Sequence, residues 1–247
     1  MKYGAISTGS KEATLAASDL LKYGGNAFDA AIGAIFASMT SEFALTGPFG
    51  GGTLLGIKNN SSPFIYDFFV DSPNIKKNPS AEFAEIIVNF ENTKQKFYIG
   101  KGAIAIPGNL MGLINIQKEY GKLQLKDVLS AAIEFAQNGI TINKHQSDII
   151  KLVDPILTFD KTGSELFKKN GRLITNGDKF SNPAFADFLK LLIKNRPEYF
   201  YNGPGLDVIL DHCDKKSYLC KNDFNTYKVY KRKPISLKFS DHKIFTN

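Results

Sequence analysis

Three consecutive glycines are the strongest local sign of chemistry in this sequence. Gly50, Gly51 and Gly52 follow a helical segment and precede a short apolar run typical of a strand. Successive glycines let a backbone approach a ligand closely and can direct several N–H groups at an anion. The run is not a P-loop, because no Lys-Ser or Lys-Thr follows Gly52, and it lacks the strand–turn–helix order of a dinucleotide loop. Two interpretations stay open: a tight turn before a core strand, and a loop that lines an active site.

Two aspartates stand where the next apolar run ends. Asp67 lies inside that run, and Asp71 follows four residues later. Carboxylates at a strand end can exchange protons with a substrate, but aspartate is also common in turns, where it accepts backbone N–H groups. Both the acid–base and the turn interpretation stay open for this pair.

The histidines and cysteines do not predict a metal site. His212, Cys213 and Cys220 lack the paired spacing of strong zinc sites, while His145 and His242 stand alone among polar neighbours. Two cysteines are also too few for a disulfide scaffold. Gly-x-Ser-x-Gly, the motif that marks a serine nucleophile in α/β-hydrolases, is absent.

Composition and charge narrow the class of protein. The chain has 247 residues, of which 43% are hydrophobic and 22% charged, a globular balance that excludes disordered, collagen-like and coiled-coil proteins. The longest mostly apolar stretch, residues 30–39, is far shorter than the roughly 20 residues of a membrane span. The first residues have no apolar core of the signal-peptide kind, so we expect a cytoplasmic protein with no membrane partner.

Residues 211–247 hold nine Lys and Arg against four Asp, which indicates either an acidic partner or a lysine-rich solvated surface.

Two adjacent helices open the chain. Apolar residues at helical spacing predict a helix over residues 11–23, with Ser10 as its N-cap. Asn26 caps a second helix over residues 27–39, which is apolar on nearly every face and is therefore expected to be buried on all sides. The glycines and a hairpin follow directly, an order that places a sheet edge beside the buried helix.

The other elements follow from the same patterns, and the chain reads as mixed α/β without a domain boundary. We predict strands over residues 53–57 and 64–69 joined by a turn at residues 59–63, helices over residues 110–120, 126–138 and 185–194, and two strands within residues 222–245.

Short motifs recur in a fixed order along nearly the whole chain. They are residues 20–31 (LLKYGGNAFDAA), 50–52 (GGG), 102–108 (GAIAIPG), 120–123 (YGKL), 131–139 (AAIEFAQNG), 200–203 (FYNG), 223–227 (DFNTY) and 232–235 (RKPI). Each motif alone is weak, but the series in this order resembles the gamma-glutamyltranspeptidase family.

The resemblance implies a fold and a reaction. The fold is α/β, part of the αββα four-layer sandwich of N-terminal nucleophile hydrolases. In such enzymes a precursor cuts itself, and the threonine at the new N-terminus attacks a gamma-glutamyl amide, as in glutathione, with its own amine as the base. The acyl group then passes to water or to an amino acid. The resemblance implies a small-molecule substrate, no nucleic-acid partner, and neither a metal nor an organic cofactor.

The family's nucleophile falls after the segment that corresponds to Asn247. We therefore expect residues 1–247 to form one incomplete domain, the front portion of the large subunit, with no catalytic residue of its own. Its partner would be the remaining C-terminal part, the small subunit, and the chain alone would be inactive. The alternative is a truncated or inactive relative that serves as a binding module.

The sequence also differs from the family pattern at a position that binds substrate. Family members carry Asp-x-Arg-Glu after the hairpin strand, and the arginine pairs with the alpha-carboxylate of the glutamyl group. Here the sequence is Asp67-Phe68-Phe69-Val70, so Phe69 occupies the arginine position and cannot make a bidentate ionic contact. Asp67 and Phe69 are the candidate substrate-binding residues, and Gly50, Gly51 and Gly52 are the candidate loop beside the site. Two alternatives stay open: a divergent amidase or acylase of the same fold, and a carboxylate-binding charge supplied by Lys76 or Lys77.

Overall fold

The structure is a computed structural model that describes residues 4–58, 61–74 and 77–247. Part of the predicted turn (Asn59 and Asn60), Lys76 and the three amino-terminal residues lie outside the described residues. The helices of the described part are α1 (Lys11–Lys22), α2 (Ala27–Ser41), α3 (Asn109–Tyr120), α4 (Leu125–Val128), α5 (Ser130–Asn138), α6 (Lys144–Leu152), α7 (Asp154–Leu157), α8 (Lys161–Phe167), α9 (Pro183–Asn195), α10 (Glu198–Tyr201), α11 (Pro204–Cys213) and α12 (Lys221–Thr226).

The strands form several small antiparallel sheets. They are β1 (Gly52–Gly56), β2 (Phe64–Phe68), β3 (Ala84–Phe90), β4 (Thr93–Ile99), β5 (Ile140–Thr141), β6 (Lys168–Lys169), β7 (Arg172–Leu173), β8 (Lys179–Phe180), β9 (Tyr230–Arg232), β10 (Ile235–Phe239) and β11 (His242–Thr246).

The sheet that matters for the site has the order β1-β2-β9. β1 pairs with β2 in the predicted hairpin, with Gly52 opposite Phe68. β9 pairs with the other edge of β2, with Asp67 opposite Tyr230. A strand near the carboxyl end of the chain therefore lies beside the first hairpin.

The opening helices form as the sequence predicts. The Ser10 hydroxyl accepts the Ala13 N–H at 3.3 Å, and Asn26 and Asp29 form a reciprocal capping box at the start of α2. α2 contacts α1, α3 and α5, and most of its side chains are buried, as its uniformly apolar sequence predicts.

Two predicted elements are wrong in part. The helix expected over residues 126–138 is divided at Leu129 into α4 and α5. Within residues 222–245, where two strands were expected, the structure has α12 followed by three strands. α12 forms because the Asp223 carboxylate accepts the Cys220 N–H at 2.9 Å, which satisfies a free backbone donor at the start of the helix.

A buried carboxylate joins α2 to the turn after α3. Asp29 is fully buried, at 0% exposure, and accepts N–H groups from Asn26 at 2.9 Å, Lys122 at 3.0 Å and Leu123 at 3.3 Å. The Asn26 amide also donates to the Tyr120 carbonyl at 2.7 Å. The Gly-Gly-Asn-Ala-Phe-Asp motif therefore fixes the end of α3, the helix whose start holds the glycine loop described below.

Replacing Asp29 with alanine should lower the free energy of unfolding by about 2–4 kcal/mol, because several buried N–H groups lose their acceptor. Urea denaturation followed by circular dichroism measures the change. The matched control is Asp19→Ala, which removes an exposed carboxylate paired with Lys22 and should cost less than about 1 kcal/mol. Equal losses in the two variants would contradict a structural role for the buried carboxylate.

Candidate active site

The glycine loop lies against the end of β2. A Cβ atom on Gly51 would come within 2.6 Å of the Val70 nitrogen and 2.8 Å of the Phe68 carbonyl oxygen. Both are backbone atoms that cannot rotate away, so only glycine fits at this position. The contact fixes the distance between the loop and the residues that leave β2.

The start of α3 holds the same loop from the other side. The Gly50 carbonyl accepts the N–H groups of Gly108 and Asn109, both at 2.9 Å, and the Asn109 amide donates to the Gly47 carbonyl at 2.7 Å. The Gly50 N–H donates to the Gly47 carbonyl at 3.2 Å. The glycines therefore form a tight turn that enters β1, and the same turn borders the end of β2. A ligand-binding role for Gly50, Gly51 and Gly52 stays a prediction.

Residues 67–74, here called the β2 exit, carry the predicted substrate-binding residues. Asp67 Oδ2 accepts the Arg232 Nε of β9 at 2.6 Å, and Asp67 Oδ1 accepts the Phe69 N–H at 3.2 Å. The carboxylate is therefore occupied by groups of this chain, which favours a structural use over proton transfer. Substrate binding by Asp67 stays a prediction.

Asp71 lies in the same segment but is held through its backbone. Its N–H donates to the Ile106 carbonyl at 3.1 Å, and its carbonyl accepts the Ile106 N–H at 2.8 Å. The side chain of Asp71 is exposed. The structure therefore does not bring the carboxylates of Asp67 and Asp71 together in a shared hydrogen bond.

Phe69 combines a fixed backbone with a free side chain. The residue is 63% exposed, although its N–H and its carbonyl both have partners. A large exposed aromatic ring on a fixed segment beside the glycine loop is available for contact with another molecule. Lys77, the alternative source of a positive charge, is exposed as well, and Lys76 lies outside the described residues.

Two buried tyrosines donate to backbone carbonyls, one in the β2 exit and one just before α3. The Tyr227 hydroxyl donates to the Phe69 carbonyl at 3.0 Å, and the Tyr201 hydroxyl donates to the Pro107 carbonyl at 2.6 Å. Burial, and then the negative charges of Asp71 and Asp67, raise the pKa of Tyr227, and burial raises the pKa of Tyr201. Both hydroxyls therefore stay protonated and act as hydrogen-bond donors at neutral pH.

The histidines and cysteines differ in exposure. His145, His212 and His242 are exposed; Cys213 is buried, Cys220 is half-buried, and both are free thiols. Among the described residues, no group of three or more His, Cys, Asp and Glu side chains could hold a metal ion. In the same part of the chain, no helix has the length and apolar character needed to cross a membrane.

A family model and the sequences of known proteins both match this chain. A family model described as gamma-glutamyltranspeptidase matches residues 13–247. The chain is 26% identical over 246 residues to the glutathione hydrolase proenzyme of Pseudomonas aeruginosa, covering 98% of this chain and 42% of that protein. It is 25% identical over 244 residues to the acylase ACY 1 proenzyme of a Pseudomonas species, covering 98% of this chain and 44% of that protein. The chain thus spans less than half the length of these relatives.

Solved structures share the fold. The gamma-glutamyltranspeptidase of Helicobacter pylori matches with a TM-score of 0.85 at 24% identity, covering all of this chain and 70% of that one. The transpeptidase enzyme CapD of Bacillus anthracis matches with a TM-score of 0.81 at 23% identity, covering all of this chain and 76% of that one. These matches confirm the expected fold class, α/β and part of the αββα sandwich of N-terminal nucleophile hydrolases.

Sequence reasoning missed three residues that build this site. Arg232, Tyr227 and Asp223 contact the β2 exit from more than 140 residues away along the chain. The only signal was their place in the motifs at residues 223–227 and 232–235, which carry the resemblance without revealing what the side chains touch.

Replacing Gly51 with alanine should lower the free energy of unfolding by about 1–3 kcal/mol, because the new methyl group overlaps the backbone of the β2 exit. The control is Gly47→Ala in the same loop, where an added Cβ meets no atom within 4 Å and the change should stay within about 0.5 kcal/mol. Thermal and urea denaturation measure both. If Gly51→Ala is as stable as Gly47→Ala, the loop and the β2 exit are not in close contact.

Proposed function

Because the chain belongs to the gamma-glutamyltranspeptidase family, we propose that it forms the front part of an enzyme that cleaves amide bonds by acyl transfer. The relatives are more than twice as long as the segment they share with this chain, and the family's threonine nucleophile belongs to the portion not shared. The word proenzyme in the names of these relatives supports a precursor that is processed before it acts. The C-terminal part of the same protein is then the partner that supplies the nucleophile.

The observation that carries the substrate proposal is the exposed ring of Phe69 on the fixed β2 exit. The family's arginine at this position pairs with the alpha-carboxylate of a gamma-glutamyl group, and a phenyl ring offers no donor for that carboxylate. The same ring gives a neutral or acylated group an apolar surface. We therefore infer that the preferred acyl group lacks a free carboxylate at this place.

The similarity of the chain to an acylase as well as to glutathione hydrolases supports this inference. A divergent amidase or acylase of the same fold would keep the self-processing threonine and change the group that contacts the β2 exit. No metal or organic cofactor is part of this proposal. A cytoplasmic location stays a prediction.

Residues 1–247 alone should not release aniline from a chromogenic gamma-glutamyl anilide, because covalent acyl transfer needs the nucleophile. The measurement compares the purified chain with a heat-treated sample of the same preparation. Release above the heat-treated background would show that these residues contain a nucleophile and would overturn the proposed division of the enzyme.

Replacing Phe69 with arginine in the complete processed enzyme should raise kcat/KM for a gamma-glutamyl anilide about ten- to hundredfold, because a charge-assisted pair with the alpha-carboxylate is restored. The control is Phe83→Arg, which places the same charge on another exposed phenylalanine ring and should leave kcat/KM unchanged.

Two results would contradict the assignment. If Phe69→Arg leaves kcat/KM for the gamma-glutamyl anilide unchanged, Phe69 is not at the carboxylate position. If the unmodified processed enzyme cleaves neither gamma-glutamyl nor N-acyl anilides, the inactive binding module becomes the better explanation of the chain.

A further inference from the structure

The β2 exit is held from one side by α12 and by the residue that follows it. Asp223, in α12, is 3% exposed. Its Oδ2 accepts the Cys220 N–H at 2.9 Å, while its Oδ1 accepts the Asn74 backbone N–H at 3.1 Å and the Asn74 side-chain amide at 2.8 Å. One carboxylate thus caps α12 and ties it to the far end of the β2 exit.

The charge on Asp223 is maintained by these donors. Burial by itself would raise the pKa of this carboxyl, but the hydrogen bonds from Cys220 and Asn74 outweigh burial and hold the pKa below its ordinary value. The group is therefore ionised at neutral pH and is a strong acceptor for the Asn74 donors.

Tyr227 holds the middle of the β2 exit. Its hydroxyl donates to the Phe69 carbonyl at 3.0 Å, and its ring lies against the ring of Tyr201, with centroids 5.6 Å apart. The hydroxyl also lies close to Gly108, where an added Cβ would be 2.2 Å from the hydroxyl oxygen. The Tyr227 hydroxyl therefore lies between the start of α3 and the carbonyl of Phe69.

We propose that Tyr227 and Asp223 are positioning residues that fix the Phe69 ring for substrate by holding the backbone of the β2 exit at residues 69 and 74. Neither side chain carries the exposed surface itself; each acts on Phe69 through the main chain. The backbone pairing of Asp71 with Ile106 lies between these two points, so the segment is held from both sides. The link to substrate rests on the proposed function, whereas the restraint on the segment does not.

Loss of one of these hydrogen bonds should loosen the segment without unfolding the protein. Tyr227→Phe keeps the ring packed against Tyr201 and removes only the donor to the Phe69 carbonyl. In the complete protein, the amides of Phe69 and Val70 should exchange with deuterium about two- to tenfold faster, which corresponds to the loss of one hydrogen bond. Hydrogen-exchange mass spectrometry measures this rate.

Tyr201→Phe is the matched control, since it also removes the hydroxyl of a buried tyrosine. That hydroxyl donates to the Pro107 carbonyl and not to the Phe69 carbonyl. Faster exchange at residues 69 and 70 in Tyr227→Phe but not in Tyr201→Phe supports the proposal. Faster exchange in both variants, or in neither, overturns it, because the effect would then be general or absent.

A second pair of variants tests the other end of the segment. Asp223→Asn should speed exchange across residues 71–74, while Asp207→Asn, which alters an exposed carboxylate paired with Lys221, should not. Residues 1–247 contain no tryptophan, so within them Phe69→Trp adds a single indole fluorophore whose anisotropy reports the motion of this side chain. The anisotropy of Trp in that variant should fall when Tyr227→Phe is added and stay unchanged when Tyr201→Phe is added; the same anisotropy in both would count against the proposal.

Kinetics separates this proposal from the proposed function. If the complete enzyme cleaves an N-acyl anilide, Tyr227→Phe should raise KM about two- to tenfold and leave kcat nearly unchanged, as expected when a binding surface is displaced. A fall in kcat with no change in KM would overturn the positioning role. If no variant, including the unmodified enzyme, cleaves any anilide, the proposed function fails, while the exchange rates still decide whether Tyr227 holds the segment.

Discussion

The structure depends on a close approach of three backbone segments around the Phe68 carbonyl at the end of β2. An added Cβ would meet this oxygen at 2.8 Å from Gly51 and at 1.8 Å from Gly108, so any side chain at either position pushes a segment away. Because both positions are glycine, the glycine loop and the start of α3 can close on β2 together. The hydrogen bonds from Gly108 and Asn109 to Gly50 then connect the glycine loop to the start of α3.

Residues of β9, near the carboxyl end of the chain, also contact β2 and α3. Arg232 pairs with Asp67 on the neighbouring strand, and Lys231 pairs with Glu119 of α3, which also accepts the Tyr66 hydroxyl. The hydrogen bond to Glu119 raises the pKa of Lys231, which keeps this amine charged beside β2. Arg232, Tyr227 and Asp223 hold the β2 exit at residues 67, 69 and 74, although much of its side-chain surface is open to solvent.

Family membership and local structure answer different questions about function. The family match covers residues 13–247 and supports the proposed acyl transfer from an amide, for which the proposal places the nucleophile outside these residues. In the proposed function, substrate choice depends on the side chain that the β2 exit presents. Here that side chain is Phe69, and we propose that its exposed apolar ring, on a backbone held by hydrogen bonds, favours a neutral acyl group because little ordering is then needed on binding.

The sequence by itself determined the opening helices and the first hairpin, since their causes lie within a few residues. The caps at Ser10 and Asn26 and the apolar faces of α1 and α2 are readable from adjacent positions. α12 was missed because its capping box begins at Cys220, a weak N-cap type, and because the tyrosine and valine content around it favours strands. Only the tertiary structure decided that Tyr227 reaches Phe69 and that Arg232 reaches Asp67. These contacts join residues more than 150 positions apart, and they form only when the core has closed and β9 has paired with β2, which no local pattern specifies.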